Sequence, residues 1–431
     1  MAQKVIYTNN VVEGVGSGYT VNNLSNYLSN HLSEHSELIR SKIGEWAVNN
    51  GKIQSLEEVD SFINSNLFIR GYGNDKEGLY VKADRYIIDG NHLINCSGGD
   101  GNIVAKASGY GVISNNIIQS IGTAMYIRGR TDINGNTIEI DNSRDDDSKA
   151  ALLYALKAIS GDSSLPPEEA VCLTSDTYND YGDGEVDFNG NKLIVNNTER
   201  CFKLEFKGNI IQNNDIRLGR VGIMVLATNN IATPLYFLNN RVDYPFNYAG
   251  ISSGWLFNLN SVQENNIRFY IEGNTFTGCL PAFVYIGSTK LTSIYVNRNS
   301  FISNGTVYTR TSTTDTNHNK SLPPLFSLKA LTEGSVLTFN NNTVKFYAEY
   351  KSWNSTSKEY QYGPADVEAF VTCPKNVKIE LLSNNIEGLC FGKKEKVSGN
   401  TNITWTPKTF FDFTTSISNP SRKISYYSKD Y

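Results

Sequence analysis

Ile271-Glu272-Gly273-Asn274-Thr275-Phe276 states a phrase that recurs through most of the chain. An apolar residue and a free residue are followed by a third, usually glycine or asparagine, then by asparagine, a free residue and another apolar residue. Full copies surround Asn91, Asn116, Asn136, Asn191, Asn214, Asn240, Asn299 and Asn342, from Ile88-Asp89-Gly90-Asn91-His92-Leu93 to Phe339-Asn340-Asn341-Asn342-Thr343-Val344. Ser383-Asn384-Asn385-Ile386 and Ser398-Gly399-Asn400 are weaker ones. Neighbouring copies lie roughly 20 to 26 residues apart, the period of a stacked supersecondary unit. Wider gaps mean a degenerate corner or an insertion.

The phrase describes a sharp corner between two short strands. Glycine or asparagine accepts the left-handed backbone that such a corner requires. The asparagine after it is expected to point inward. There its amide donates to and accepts from the equivalent asparagine one coil away, about 4.8 Å along the stack. A buried polar group is then satisfied by its own file, and the flanking apolar residues form files above and below. Unrelated Asn-Gly hairpins do not account for so many copies with the same flanks.

This corner resembles the turn signature of the pectate-lyase-like superfamily. The resemblance implies an all-β fold, a right-handed single-stranded parallel β-helix over residues 67–405. An N-terminal α-helical capping and attachment segment over 1–66 and a C-terminal tail over 406–431 complete the expected organisation. The resemblance is specific for fold and not for chemistry, since the superfamily includes polysaccharide lyases and hydrolases as well as the spikes and fibres of tailed bacteriophages.

Composition agrees with a solenoid. Hydrophobic content of 39% and charged content of 19% are low for a globular protein, while asparagine is abundant enough to need a structural use. A formal charge of -4 provides no basic stripe for tracking phosphates, which disfavours nucleic acid and anionic membranes as partners. Six cysteines without a CxxC pair read as reduced core thiols. The first ten residues lack the basic-then-apolar build of a signal peptide, so synthesis and folding in a cytoplasm are expected.

Outside the corners, Leu24, Leu28, Leu32, Leu38, Ile39, Ile43 and Trp46 recur at three- and four-residue spacings and predict an amphipathic helix over 21–49, stopped by Asn49-Asn50-Gly51. Leu24, Leu28, Ile39, Ile43 and Trp46 are its expected contacts with other chains. A second helix is predicted from Ser55 to Asn64, with Ser55 as N-cap. Insertions are expected over 141–187, with a helical stretch from Lys149 to Ile159, and from Tyr350 to Gly363.

Several patterns look chemical and are better read otherwise. His31-Leu32-Ser33-Glu34-His35 matches the inverted zinc-peptidase motif, but no third ligand follows on another helix. The loop 176–187 is crowded with oxygen ligands yet fails the EF-hand spacing. No metal or cofactor is therefore expected. The paired-carboxylate signatures of β-helix hydrolases and the signatures of calcium-dependent pectate lyases are missing. Outward carboxylates such as Asp84, Asp132, Glu139, Glu205, Asp215 and Glu272 are what alternating strand positions collect by default.

Aromatic residues cluster around Tyr244, Phe246, Tyr248 and Trp255, and around Trp353, Tyr360 and Tyr362. Flat rings beside asparagine and aspartate suit sugar faces and hydroxyls, so Tyr244, Trp255, Trp353 and Tyr360 are candidate glycan contacts. The functional expectation is a bacteriophage virion appendage, a fibre or spike subunit that forms a homotrimer. It is attached to other virion proteins by its N-terminal part and touches cell-surface polysaccharide or neighbouring virion proteins. A polysaccharide depolymerase on the same shaft is the alternative.

Overall fold

The computed structural model of the 431-residue chain describes residues 4–13, 36–66, 78–94, 103–120, 123–141, 150–151, 154–155, 157–158, 169–174, 185–196, 198–205, 209–219, 221–228, 234–244, 256–261, 267–278, 283–287, 292–302, 306–309, 321–322, 325–328, 331–345, 348–354, 356–364, 366–367, 371–374, 377–387, 390–391, 397–398, 403–405, 410–411 and 414–415. Most of them lie in parallel strands arranged in stacked sheets.

Three ladders carry the architecture. The first stacks residues 79–83, 103–107, Met125–Arg128, Glu169–Thr174, Thr198–Glu205, Val221–Thr228 and Phe257–Ser261, and runs on to Val397–Ser398. The second begins at Lys4–Thr8, continues through 85–89, 110–114, Thr131–Asn134, Val186–Asn189, Ile210–Gln212, Leu235–Leu238 and Ile267–Glu272, and ends at Ile403–Trp405. The third is a 12-stranded sheet from Val11–Glu13 to Phe410–Phe411. One pass of the chain along the ladders makes a rung. Within each rung the corner phrase joins the second ladder to the third.

The corner chemistry is uniform. The residue before each inward asparagine has a φ between 52° and 68°, at Asn9, Gly90, Asn115, Gly135, Gly190, Asn213, Asn239, Gly273, Arg298, Asn341 and Ser383. The asparagines that follow form one file: Asn10, Asn91, Asn116, Asn136, Asn191, Asn214, Asn240, Asn274, Asn299, Asn342 and Asn384. Each before Asn384 donates its backbone N–H and an Nδ2–H to Oδ1 of the next, at 2.8–3.2 Å. The other Nδ2–H goes back one rung to a backbone carbonyl, as from Asn274 to Phe237 at 2.8 Å and from Asn116 to Ile88 at 3.0 Å. Both donors and both lone pairs of an interior amide are thereby used. Burial of Asn91 through Asn384 to 2% exposure or less therefore leaves no group unpaired.

Beside this file run apolar ones. Ile88, Ile113, Ile133, Phe188, Ile211, Phe237, Ile271, Val296 and Phe339 point inward from the second ladder, and Leu93, Ile118, Ile138, Leu193, Ile216, Val242, Phe276 and Phe301 from the third. Phe276 and Phe301 stack at 5.0 Å between ring centroids. Cys201 and Cys373 are buried and form no disulfide, and burial pushes the Cys201 thiol pKa up.

Several boundaries differ from the sequence expectation. Strand stacking starts at Lys4 instead of residue 67: Lys4–Thr8 pairs with 85–89 and Val11–Glu13 with His92–Ile94. Tyr7-Thr8-Asn9-Asn10-Val11-Val12 is a further copy of the phrase, and its asparagine heads the file. Stacking also passes residue 405, reaching Phe410–Phe411 and Thr414–Thr415. Ser398 of the copy at 398–400 lies in a first-ladder strand, and Gly399 and Asn400 lie outside the described residues. Inside the 141–187 insertion, Glu169–Thr174 returns to the first ladder.

The helical part is an excursion between the first and second rungs. Helix α1, Ser36–Asn49, is described from Ser36, so Leu24, Leu28 and the His31–His35 motif lie outside the described residues. It ends as expected at Gly51 (φ 66°), with Gly51 N–H donating to Val48 O at 3.0 Å and Lys52 N–H to Ala47 O at 2.8 Å. Ser55 is extended and makes no side-chain cap. A 3-10 turn, Leu56–Glu58, intervenes before helix α2, Val59–Asn66.

Candidate functional site

Ile39, Ile43 and Ala47 of α1 are fully buried, as are Val59 and Ile63 of α2 to within 1%, and Trp46 meets Phe62 at 6.4 Å. Arg40 binds Asp60 across the two helices at 2.6 Å. Ile39 and Ile43 are therefore covered within the chain and are not open to another subunit, contrary to the sequence expectation. Among the described residues of this segment, the exposed large apolar side chains are Leu38, Val48 and Leu56. Tyr154 of the later insertion donates its Oη–H to Glu45 of α1 at 2.8 Å, so the two excursions meet.

Tyr244 is likewise corrected as a glycan contact. It is 6% exposed, and its Oη–H donates to Val221 O at 2.5 Å, because its strand register turns the ring inward. Trp255 lies outside the described residues. Trp353 and Tyr360 are paired in backbone register across an antiparallel pair, Ala348–Asn354 with Glu359–Pro364.

The outer face of the second ladder instead brings together residues far apart in sequence. One column reads Asp132, Asp187, Ile210, Tyr236, Tyr270 and Tyr295 on successive strands. Tyr236 and Tyr270 stack at 5.0 Å and 13°, and Tyr270 and Tyr295 at 4.7 Å and 10°. All three are half-buried. Their rings cover one another, so phenolic edges and the end faces of the stack remain for a ligand.

Asp132 and Asp187 are in register on adjacent strands, which places their backbones about 4.8 Å apart. Tyr110 Oη–H donates to Asp132 Oδ2. Gln212 Nε2–H donates to Asp187 at 2.9 Å (Oδ1) and 3.2 Å (Oδ2). The hydrogen bond to Asp132, with burial and that carboxylate's charge, pushes the Tyr110 phenol up to about 12. Arg130 lies 5.8 Å from the Tyr110 ring centroid. The arrangement holds two carboxylates, a phenol and a guanidinium at the foot of a tyrosine column.

Two further outward carboxylates stand beside cations. Glu272 binds Arg298 at 2.6 Å, and Asp215 stands in register between Lys192 and Arg241. Among the described residues no cluster of histidine, cysteine and carboxylates could hold a metal ion, and no helix is long and apolar enough to cross a membrane. Comparison with family models, with curated proteins and with solved structures gives no match.

Proposed function

We propose that the chain is a right-handed parallel β-helix forming a bacteriophage virion appendage, a homotrimeric fibre or spike subunit whose outer face engages cell-surface polysaccharide. The asparagine file carries this reading, since eleven residues from Asn10 to Asn384 bind rung to rung without a break. A hydrogen-bonded file of that length makes a shaft, and a shaft suits a lateral binding face. Attachment falls to the helical excursion, whose Leu38, Val48 and Leu56 are exposed. Tyr236, Tyr270 and Tyr295 replace Tyr244 as the aromatic contact.

Sedimentation equilibrium at micromolar concentration should give the mass of three chains; a stable monomer would refute the assembly. Purified protein should adsorb to host cells, and Tyr295→Ala should weaken adsorption with the circular dichroism melt unchanged. Adsorption indifferent to Tyr236, Tyr270 and Tyr295 would sink the glycan part.

The Asp132–Asp187 pair supports a second reading, a depolymerase. Its strand spacing lies near the roughly 5–5.5 Å carboxyl separation of retaining glycosidases. Release of reducing or unsaturated ends from host capsule, abolished by Asp132→Asn or Asp187→Asn, would establish it.

A further inference from the structure

We propose that the outer face of the first ladder, over its first three strands, binds a polysaccharide that carries a carboxylate on successive sugars. Lys82, Lys106 and Arg128 stand in register on consecutive strands. Beside them, on the second ladder, Lys4 stands over Arg85. Adjacent strands are about 4.8 Å apart, and like charges directly opposite repel. Other outward columns of this protein place donor against acceptor: Gln212 on Asp187, Asn297 on Glu272 at 3.0 Å, Asn340 on Glu380 at 2.8 Å. On a chain with 39 Lys and Arg against 43 Asp and Glu, these three cations share one column on consecutive strands. Such a column presents one positive charge per strand to a repeating anion.

Tyrosines fix these cations and supply flat partners beside them. Lys106 Nζ donates to Tyr80 Oη at 3.0 Å and lies 5.0 Å from that ring's centroid. Arg128 Nη2 donates to Tyr126 Oη at 2.5 Å, with its guanidinium 4.9 Å from the ring centroid. Tyr80 is 51% exposed. An ammonium has three N–H donors and a guanidinium five, so one contact to a tyrosine hydroxyl orients the group without neutralising its charge. The guanidinium fork matches a planar carboxylate, and the rings suit pyranose faces. A straight column of cations follows an extended sugar chain better than the curving phosphates of a duplex.

The inference rests on the glycan-binding reading and names its ligand class. The full chain would be titrated with alginate as the polyuronate, with dextran as a neutral chain and with duplex DNA, at low and high salt. Alginate should bind, weakening as salt screens the cations. Lys106→Gln and Arg128→Gln should each weaken it about tenfold, the loss of one charge-assisted contact, with the thermal melt unchanged. Absence of alginate binding, indifference to both substitutions, or equal binding of DNA would overturn the proposal. If cells are adsorbed while alginate is not bound, this inference falls alone; if adsorption is absent too, the glycan reading falls with it.

Discussion

At the corner, two adjacent residues do separate jobs. The first supplies a left-handed backbone and the second an amide with two donors and two acceptor sites. Arg298 and Ser383 adopt the first position at φ 57° without being glycine or asparagine, which costs on the order of 1 kcal/mol each. Ser383→Gly should therefore raise stability, read as a higher denaturant midpoint. Gly190 and Gly273 separate strain from crowding. A Cβ at Gly190 meets nothing within 4 Å, whereas at Gly273 it lies 2.3 Å from Asn239 Oδ1. Gly190→Ala should cost about 1 kcal/mol and Gly273→Ala more. Equal losses in chemical denaturation would show that backbone strain alone decides.

Elements are held to one another by contacts that their own sequences do not announce. Tyr86 is buried in the second ladder, where its hydroxyl meets Thr131 Oγ1 at 2.7 Å by reaching across the strand between them. Gly111 makes room for the ring, since a Cβ there would sit 2.1 Å from Tyr86 Cζ. Gly111→Ala should cost at least the roughly 1–3 kcal/mol of overpacking. In a double-mutant cycle with Tyr86→Ala the two losses should be far from additive; additive losses would mean that the glycine serves something other than the ring.

On the outer face of the same ladder, Tyr110 holds its proton up to about 12 because it donates to Asp132. A folded value above the ordinary 10 contributes stability that is present below pH 10 and is lost as pH rises toward 12. Ultraviolet difference titration of wild type against Asp132→Asn should show one tyrosine moving down toward 10. An unchanged titration curve would break the Tyr110–Asp132 link.

For the whole molecule, each rung touches chiefly the rungs before and after it, so damage should stay local. Asn274→Leu removes the acceptor of Asn240's N–H and Nδ2–H, takes from Asn299 Oδ1 its Nδ2–H donor while the backbone N–H of residue 274 remains, and leaves Phe237 O without its amide. Each orphaned group costs roughly 1–3 kcal/mol. Native-state hydrogen exchange should accelerate in strands 235–238, 267–272 and 292–297 while 103–114 and 131–134 keep their protection. Uniform acceleration along the chain would instead mean that the stack opens as one cooperative block. The same modularity explains how the stacked strands tolerate a helical excursion after the first rung and an insertion after Thr137–Asp141.

What the amino-acid sequence determined by itself is the corner: a left-handed residue and an inward amide are dictated within six residues, and every copy repeats the same local chemistry. Even the first copy, around Asn10, was legible there, although its setting before a helical segment hid it. The columns were decided by tertiary structure. Lys82, Lys106 and Arg128, or Asp132 and Asp187, become neighbours only when interstrand hydrogen bonds set the register across insertions of unequal length. Register also chooses which face a side chain takes, and that is why Tyr244 turned inward while Tyr236, Tyr270 and Tyr295 turned out.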